Sequence, residues 1–367
     1  MTAPFRPDRR RLATRLALAI VFACLLLLWL NANWANRSVH HVSRFNPQQI
    51  DLSNAAHVLD LCRQHGWPPY AQPAQRKVYD LIMVNTELDW LEIRLNTTYH
   101  HVDYFIIVES KKTFTNHDKP LVIKDNMARF APYRDKVIYH ELQIPEGFHS
   151  DRPNPSWAWE DLQRDATYKQ VFPALRGAQA PIHGDVIIVA DVDEIVRPET
   201  LVVLKSCSFP RRLTLRSHFY YYSFQYMHKG PQWPHPQATY YQGWRTILPV
   251  NLRNSDGGIQ PLIGLEKGEL WNAGWHCSTC FSTVSEVLTK LASFSHIWLN
   301  QEAYRDRDRI ADRVRGGKDL WDREGQEYER IENNSDIPTA LLGHPDKFSY
   351  LLNRDGPTAG FSDYPER

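Results

Sequence analysis

The segment GDVIIVADVDEI, residues 184–195, is a short apolar run that ends in three acids. Its Val and Ile content predicts a buried, parallel β-strand. Asp191 and Asp193 flank Val192, so in an extended chain the two carboxylates share one face. The carboxyl end of such a strand is the usual place for a ligand crevice in an open α/β sheet, and carboxylate oxygens there suit Mg²⁺ or Mn²⁺. The competing interpretation is a strand followed by a solvated acidic turn.

The N-terminal segment joins an arginine cluster to an apolar run, from Leu16 to Leu30. A cleaved signal peptide and an uncleaved signal anchor both fit this pattern. Extended to Leu12, the run approaches the roughly 17–25 residues that a spanning helix needs, and residues 31–35 contain no small-x-small cleavage site. We therefore expect a cytosolic tail at 1–11, a transmembrane anchor at 12–30 and a lumenal remainder, which makes a type II membrane protein.

The charge and the residue composition indicate which kinds of molecule this protein binds. The formal net charge is +1, so no basic field argues for nucleic acid. Sequons begin at Asn36, Asn96 and Asn333 and agree with a lumenal, glycosylated body. The 12 tryptophans predict aromatic surfaces for stacking on sugars, although most tryptophans in a protein this size belong to the core.

The five cysteines divide into one inside the predicted anchor, Cys24, and four in the body. Four cysteines in an oxidising lumen can form two disulfides. Cys277 and Cys280 form a CxxC motif, but no second CxxC or histidine pair supports zinc, and no thioredoxin-like context supports a redox role. The motif therefore favours a structural disulfide.

The remainder of the chain divides into three parts. Residues 31–76 resemble a stem, because prolines interrupt any periodicity apart from a short helix at 55–64. The main domain is expected at 77–345, and a loose C-terminal tail at 346–367.

Apolar runs alternate with helical patterns in the first half of the main domain, which predicts a doubly wound α/β fold. The predicted order is strand 78–85, helix 87–95, strand 102–108, strand 136–142, helix 157–175 and then the strand with the acidic end. Residues 212–224 predict an antiparallel strand, and 226–274 predict long loops of the kind that bind ligands. A helix is expected at 284–291 and a charged surface helix within 305–330.

Several motifs between residues 78 and 300 together resemble glycosyltransferase family 17. They are DLI at 80–82, ELDWLEIRL at 87–95, VDYFIIVES at 102–110, TF at 113–114, KPL at 119–121, ADVDEI at 190–195, AGWHCS at 273–278, CF at 280–281 and SFSH at 293–296. The resemblance implies a GT-A-like, Rossmann-type mixed sheet flanked by helices, so that 77–345 is a glycosyltransferase domain. The Trp-rich segment 226–271 carries none of these motifs, and we expect it to influence acceptor choice.

The family's activity is implied in the same way. The resemblance implies an inverting, metal-dependent transfer of GlcNAc from UDP-GlcNAc to a β-linked mannose of an N-glycan core, of the bisecting type, on a glycoprotein. It also implies Mn²⁺ or Mg²⁺ as cofactor and a Golgi membrane address. The alternatives are a related transferase with another donor or acceptor, and an inactive lumenal glycan-binding protein of the same fold.

The resemblance assigns the strand-end residues to donor and metal. Asp193 is the expected direct ligand, and Asp191 is expected to meet either the metal or the nucleotide ribose. Glu194 is expected to orient one of them, or to be a turn carboxylate. His276 is expected either to complete the metal site, since imidazole suits Mn²⁺, or to be structural, and His296 has the same two interpretations.

Three acids near the first strands are expected to meet the donor nucleotide. Glu87 and Asp89 follow the first strand, and Glu109 closes the second. The alternative for Glu87 and Asp89 is a role at the helix N-terminus, where the dipole favours acids. The alternative for Glu109 is a salt bridge, for which Arg94 is a candidate.

The acceptor side is expected in the loop-rich region. Trp244, Trp271 and Trp275 are candidates for a stacking surface, each with burial in the core as the alternative. An inverting enzyme needs a carboxylate base to deprotonate the acceptor hydroxyl. Glu266 and Glu269 are the candidates, with exposed surface carboxylates as the alternative.

Overall fold

The computed structural model describes residues 9–35 and 39–365. Residues 1–8 of the predicted tail, the sequon at Asn36 and the last residues of the chain lie outside the described residues. The predicted α/β class is observed as a mixed sheet with helices on both faces.

One mixed sheet organises the described chain. Its main path runs β1-β10-β7-β9-β5-β2-β3-β4, with β6 pairing β10, β8 pairing β7 and β11 pairing β8. The strands are β1 Val39–His41, β2 Val78–Met83, β3 Tyr104–Glu109, β4 Val137–Glu141, β5 Val186–Asp191, β6 Glu194–Val196, β7 Arg212–Tyr221, β8 Ser223–His228, β9 Gln237–Tyr240, β10 Lys267–Ser278 and β11 Tyr328–Arg330.

The α-helices flank this sheet. They are α1 Arg9–Ala35, α2 Ala55–Gln64, α3 Leu88–Thr98, α4 Val122–Asp125, α5 Ser156–Lys169, α6 Pro198–Ser206, α7 Pro249–Arg253, α8 Gln260–Glu266, α9 Val284–Ser293, α10 Arg307–Arg315, α11 Thr339–Gly343 and α12 Ser349–Leu352. The segment 305–330, expected to be largely helical, is helical only in α10, and the loop-rich segment 226–274 also contains β9, α7, α8 and most of β10.

Strand β5 is buried on both faces, as its apolar run predicts. Ile188 and Ala190 join one hydrophobic cluster, whereas Ile187 and Val189 join the cluster on the opposite face. β5 pairs in parallel with β2, β2 with β3, and β3 with β4. The carboxyl ends of these four strands therefore lie along one edge of the sheet, and Asp191 lies on that edge.

A close backbone contact positions the acidic turn. β6, which begins at Glu194, pairs antiparallel with β10, with Gly274 opposite Val196 and His276 opposite Glu194. A Cβ on Gly274 would lie 2.5 Å from the carbonyl oxygen of Ile195. Only glycine permits this approach, so Gly274 fixes the turn that carries Asp193 against β10.

The predicted transmembrane helix at 12–30 is wrong. In the part of the chain that the structure describes, no helix combines the length and apolarity needed to cross a bilayer. The continuous apolar stretch of α1 extends from Leu16 to Leu30, because Thr14 and Arg15 interrupt it. At 1.5 Å per residue that stretch measures about 22 Å, less than the roughly 30 Å of a hydrocarbon core.

The segment expected to be a stem is packed onto the domain from β1 onward. β1 pairs in parallel with β10, and Val58 and Leu61 of α2 are buried in the main core. A disulfide joins Cys62 to Cys207 at the end of α6. A second disulfide joins Cys277 to Cys280, the two cysteines that the sequence marked.

The C-terminal segment, expected to be loose, is instead part of the core. Leu351 and Phe361 are buried. The guanidinium of Arg354 is also buried, and it donates to the carbonyl oxygens of Tyr222 and Phe281 at 2.9 and 2.6 Å. These buried hydrogen bonds tie the segment to the turn between β7 and β8 and to the loop between β10 and α9, which explains why low periodicity in the sequence was misleading.

Candidate functional site

Two arginines hold the carboxylate of Asp191 at the end of β5. Arg164 of α5 donates to Oδ1 at 3.0 Å, and Arg253, the last residue of α7, donates to Oδ2 at 2.8 Å. Burial raises the pKa of Asp191, but Arg253 and Arg164 outweigh burial and hold that pKa below its usual range. Asp191 is therefore an ionised carboxylate that the protein's own cations neutralise.

Glu194 organises the turn beyond β5. Its side chain is fully buried, and its two oxygens accept from Arg253 at 2.7 and 2.8 Å. They also accept from the backbone N–H of Asp191 at 2.9 Å and from the indole N–H of Trp233 at 2.8 Å. Burial alone would raise the pKa of Glu194, but Arg253 holds it well below its usual value. Glu194 is thus a positioning residue.

The carboxylate of Asp193 is held more loosely than those of Asp191 and Glu194. Its carboxylate oxygens lie 3.6 Å from Nζ of Lys290 and 3.7 Å from Nδ1 of His276. Burial raises the pKa of Asp193, and the opposing effects of Lys290 and His276 do not cancel that rise. A buried carboxylate with only long contacts to cations is the strand-end acid best able to take a new partner.

Aromatic rings fix His276. Its imidazole stacks on Trp233, with ring centroids 4.8 Å apart, and on Phe219, with centroids 5.2 Å apart. Trp233 and Phe219 also contact each other, with centroids 5.5 Å apart. The three rings therefore form one cluster that restricts rotation of the imidazole beside Asp193.

The loop after β2 completes one side of the site. The Glu87 carboxylate accepts from the backbone N–H groups of Asn85 and Thr86 at 3.0 and 2.9 Å. Asn85 donates to the hydroxyl of Ser293 at 2.9 Å, which joins this loop to the end of α9. Burial lowers the pKa of Lys290, but Asp193 and Glu87 outweigh burial and raise it. Lys290 of α9 is therefore a cation that faces the acids following β2 and β5.

The other side of the site is formed by the first turns of α5. Glu160 accepts from Arg164 at 2.7 Å through Oε1 and from the hydroxyl of Ser295 at 2.5 Å through Oε2. Ser295 also offers its carbonyl oxygen to Asn154 at 2.8 Å. Hydrogen bonds therefore run continuously from Asp191 through Arg164 and Glu160 to the loop after α9.

The side chains that could ligate a metal ion fit a metal site only in part. Within residues 9–35 and 39–365, no group of three or more His, Cys, Asp or Glu side chains lies close enough to hold a metal ion. Asp191 is unsuited, because arginines bind both of its oxygens. Asp193 and His276 offer one carboxylate and one imidazole, and a hard divalent ion in a nucleotide site commonly takes one or two protein ligands plus phosphate oxygens.

The sequence was compared with known protein families and curated proteins. The family model of glycosyltransferase family 17 matches residues 15–356. The chain belongs to glycosyltransferase family 17. The match includes Asp191, Asp193 and Glu194, so the acid cluster lies inside the family 17 region.

Curated relatives carry one shared name. The chain is 29% identical over 315 residues to a human β-1,4-mannosyl-glycoprotein 4-β-N-acetylglucosaminyltransferase. The aligned region covers 76% of this chain and 55% of the human protein. The rat and mouse proteins of the same name are 29% and 28% identical, with 76% of this chain and 54% of each relative covered. The chain therefore spans about half the length of the curated relatives that it matches.

Two of the predicted donor-binding acids in this family 17 chain are engaged elsewhere. Asp89 pairs with Arg129 and accepts from the hydroxyl of Tyr350 at 2.9 Å on the outer side of α3. Glu109 is fully buried and accepts from two backbone N–H groups of α4 and from the hydroxyl of Tyr139 at 2.8 Å. Its ion-pair partner is Lys119, at 3.5 Å, rather than Arg94.

The structure does not bring the two predicted bases to the acid cluster. Glu266 pairs with Arg211 and Arg212, and although burial raises its pKa, these arginines outweigh burial and hold it below its usual value. Glu269 pairs with Arg216 near the start of β10, separated from β5 by β7 and β9. A carboxylate with a lowered pKa is a poor general base.

The three predicted stacking tryptophans lie apart from one another. Trp275 is only 4% exposed and donates to Asp336. Trp271 lies beside the edge strand β1, where its ring contacts His41 at 5.9 Å. Trp244 is 92% exposed, but β9 runs antiparallel to β5 with Tyr240 opposite Val186. The chain therefore reaches Trp244 past the amino end of β5, and that end, Val186, lies roughly 17 Å along the strand from Asp191.

Sequence reasoning missed the cations Arg164, Arg253 and Lys290, together with Glu160. One signal was present: a buried strand that ends in acids requires compensating charge, and that charge can come from side chains as well as from a metal. The spacing of Glu160 and Arg164, four residues apart on one helical face, also marks a charged face on a helix next to the sheet.

Proposed function

We propose that this protein transfers GlcNAc from UDP-GlcNAc to a β-linked mannose of an N-glycan core, with inversion at the anomeric carbon. Membership of family 17 and the shared name of three mammalian relatives support the reaction class. The observation that carries the proposal is the meeting of Asp193, Lys290 and His276 at the carboxyl ends of β2 and β5.

The cations of the site suit an anionic donor. A nucleotide sugar leaves as a diphosphate, on which negative charge grows in the transition state. The side chain of Lys290 is 27% exposed and lies beside Asp193, so it can reach a phosphate oxygen placed at this edge. Arg164 and Arg253 are more deeply buried and hold the acids that shape the pocket.

We assign the proposed metal, Mn²⁺ or Mg²⁺, to Asp193 and His276. A divalent ion there would neutralise phosphate charge as a Lewis acid. The protein's own contribution is to hold His276 against the rings of Trp233 and Phe219 and to leave Asp193 with only long contacts. Asp191 would act through Arg164 and Arg253 as a positioning residue.

Inversion requires a base for the acceptor hydroxyl, and we propose Glu160. It lies on the same face of α5 as Arg164, with one turn of helix between them, at the border of the acid cluster. Its carboxylate already accepts a hydrogen bond from the hydroxyl of Ser295, which is the geometry that a sugar hydroxyl would adopt in place of the serine.

An oxidising compartment fits the covalent structure, and we propose the Golgi lumen. Two disulfides link Cys62 to Cys207 and Cys277 to Cys280, and such bonds persist in the secretory pathway rather than in a reducing cytosol.

A second candidate function is glycan binding without transfer. It is favoured by the engagement of Asp191 and Glu194 by arginines, since acids so paired need no metal. The two functions differ in whether the protein binds a nucleotide diphosphate.

The deciding experiment measures thermal unfolding of the wild type with UDP and Mn²⁺ together, followed by transfer from UDP-GlcNAc to a mannose-terminated N-glycan core. The transferase predicts a rise in melting temperature of about 3–6 °C at saturating ligand and a product with GlcNAc β-linked to mannose. Asp193→Asn should abolish the Mn²⁺-dependent part of that rise, whereas Asp312→Asn, a 75% exposed acid of α10, should preserve it. Absence of both stabilisation and transfer in the wild type would leave only glycan binding.

A further inference from the structure

An aromatic cluster lies beside the acid site. Its residues take no part in the proposed binding of donor and metal or in the proposed base. The imidazole of His296 lies between two indoles, with ring centroids 5.0 Å from Trp157 and 4.9 Å from Trp298. Both indoles are steeply inclined to the imidazole plane, at 73° and 63°. Trp298 is 54% exposed and Ile297 beside it is 44% exposed, so this is an apolar surface open to solvent.

The cluster is continuous with the acid site through one face of α5. Trp157, Glu160 and Arg164 are spaced i, i+3 and i+7, which places them along a single stripe of the helix. Arg164 contacts Asp191, and seven residues of helix place Trp157 about 10 Å beyond Arg164 along the axis. The proposed base, Glu160, lies between Arg164, which contacts Asp191 at one end of the stripe, and Trp157 at the aromatic end.

The loop that carries Trp298 is anchored in this position. The Ser295 hydroxyl donates to Glu160, and its carbonyl oxygen accepts from Asn154 at 2.8 Å. Beyond Trp298, the carbonyl oxygen of Leu299 accepts from the indole of Trp321 at 3.1 Å. An exposed indole on a backbone fixed at both ends is organised before any ligand arrives, which lowers the entropic cost of binding.

We propose that Trp298 and Trp157 form the platform on which the acceptor glycan stacks, with the sugar hydroxyl that reacts directed toward Glu160. This inference rests on the proposed function, and it names the acceptor subsite of that reaction. An indole face presents a large, rigid apolar surface to the C–H groups of a pyranose ring, while its edge remains available for polar contacts. Burial lowers the pKa of His296, which favours the neutral form of the ring beside the indoles.

Trp298 and Trp244 are both exposed, and they lie on two different candidate surfaces for the glycan. Trp298 lies beside the acid site, whereas Trp244, which the sequence marked for the acceptor, lies past the other end of β5 in a groove of about 340 Å³ lined by Tyr168, Phe172 and Tyr241. Substituting each indole separately therefore shows which surface binds the glycan.

The test titrates a fluorescently labelled, mannose-terminated N-glycan core into the wild type and the variants Trp298→Ala, Trp298→Phe and Trp244→Ala, and also measures acceptor KM and kcat. We expect Trp298→Ala to raise the glycan Kd and the acceptor KM about tenfold, Trp298→Phe to recover much of the loss, and Trp244→Ala to bind like the wild type. Stabilisation by UDP with Mn²⁺ should be equal in all four proteins, which would show that the donor site is intact.

The outcomes separate this inference from the proposed function. A wild type that binds the glycan through Trp298 but transfers no GlcNAc would contradict the transferase and support the platform. Equal glycan binding by Trp298→Ala and the wild type, weakening by Trp244→Ala alone, or no glycan binding by a folded wild type would each overturn the platform. Because Trp298 is half exposed, Trp298→Phe keeps the test valid if the alanine variant does not fold.

Discussion

The guanidinium of Arg253 donates to both carboxylate oxygens of Glu194, at 2.7 and 2.8 Å. Its NH2 group also reaches Asp191 at 2.8 Å. One side chain from the end of α7 therefore bridges two acids that lie on either side of a tight turn. The charge on a buried acidic strand end is balanced here by an arginine 59 residues away in sequence from Glu194.

Removing Arg253 should destabilise the protein strongly. In Arg253→Met, two buried carboxylates lose their shared cation, and breaking a buried pair from one side costs about 3–5 kcal/mol. Urea unfolding of the variant measures this loss. Adding Glu194→Gln should restore part of the stability, because it removes one of the unpaired charges, and no recovery in the double variant would contradict the bridging role.

The contrast between β5 and Arg253 shows what sequence reasoning can reach. The strand was predictable because its Val and Ile residues follow one another in the chain and leave a local pattern. The cations of the site were not, because Arg164, Arg253 and Lys290 come from three separate helices and look like ordinary surface charges. The requirement for a cation was visible in the sequence, but its source was decided by tertiary packing.

The same reasoning applies to the segments around the domain. Residues 39–76 and 346–365 have weak periodicity, which predicted a stem and a loose tail. Their burial depends on partners far away in sequence, such as Cys207 for Cys62 and Tyr222 for Arg354. Local patterns carry no record of such contacts, whereas the acids of 190–195 form a local motif that is visible in the sequence.

Substituting the proposed base should affect turnover and leave donor binding unchanged. Glu160→Gln keeps the shape of the side chain but removes its ability to take a proton, so kcat should fall by about 10²–10⁴-fold. Stabilisation by UDP with Mn²⁺ should be unchanged. Asp161→Asn is the matched control, because its carboxylate is the next along α5 and pairs with Arg152 instead; an equal loss of kcat in both variants would contradict the assignment.

Gly274→Ala should disturb the acid turn through the backbone. The added methyl would lie 2.5 Å from the carbonyl oxygen of Ile195 and 2.9 Å from the hydroxyl of Ser217, so β6 must move away from β10. We expect a loss of about 1–3 kcal/mol in chemical unfolding, with a weaker response to UDP because Asp193 moves with the turn. Gly343→Ala is the control, since nothing lies within 4 Å of its new Cβ; similar losses in the two variants would argue against a special role for Gly274.

Acid should destabilise the protein through His65, which is only 2% exposed. Burial, with a smaller contribution from His40, lowers the pKa of His65 to about 4. Between that value and the usual pKa of about 6.5, the unfolded chain binds a proton that the folded chain does not, so stability falls as pH drops across this range. The full effect is up to about 3 kcal/mol. In denaturant unfolding at a series of pH values, His65→Phe should flatten the decline, whereas substituting His149, which is 79% exposed at its side chain, should not; an unchanged slope in His65→Phe would rule out this cause.

The two disulfides should contribute very unequally to stability. Cys62 and Cys207 are 145 residues apart, whereas Cys277 and Cys280 are separated by three. A cross-link restricts the unfolded chain more when it closes a longer loop, and the chain-entropy relation gives about 5 kcal/mol for the long loop and about 1.5 kcal/mol for the short one. Replacing each pair with serines and comparing urea midpoints measures both contributions.

The variant without the long-range disulfide should also release residues 39–76 from the core and make them the first site of limited proteolysis, because α2 is joined to α6 by this bond. The variant without the Cys277–Cys280 bond should keep its turnover, since neither sulfur takes part in the proposed chemistry. Equal midpoints for the two variants would show that strain or structure in the unfolded chain, rather than loop length, sets what these bonds contribute.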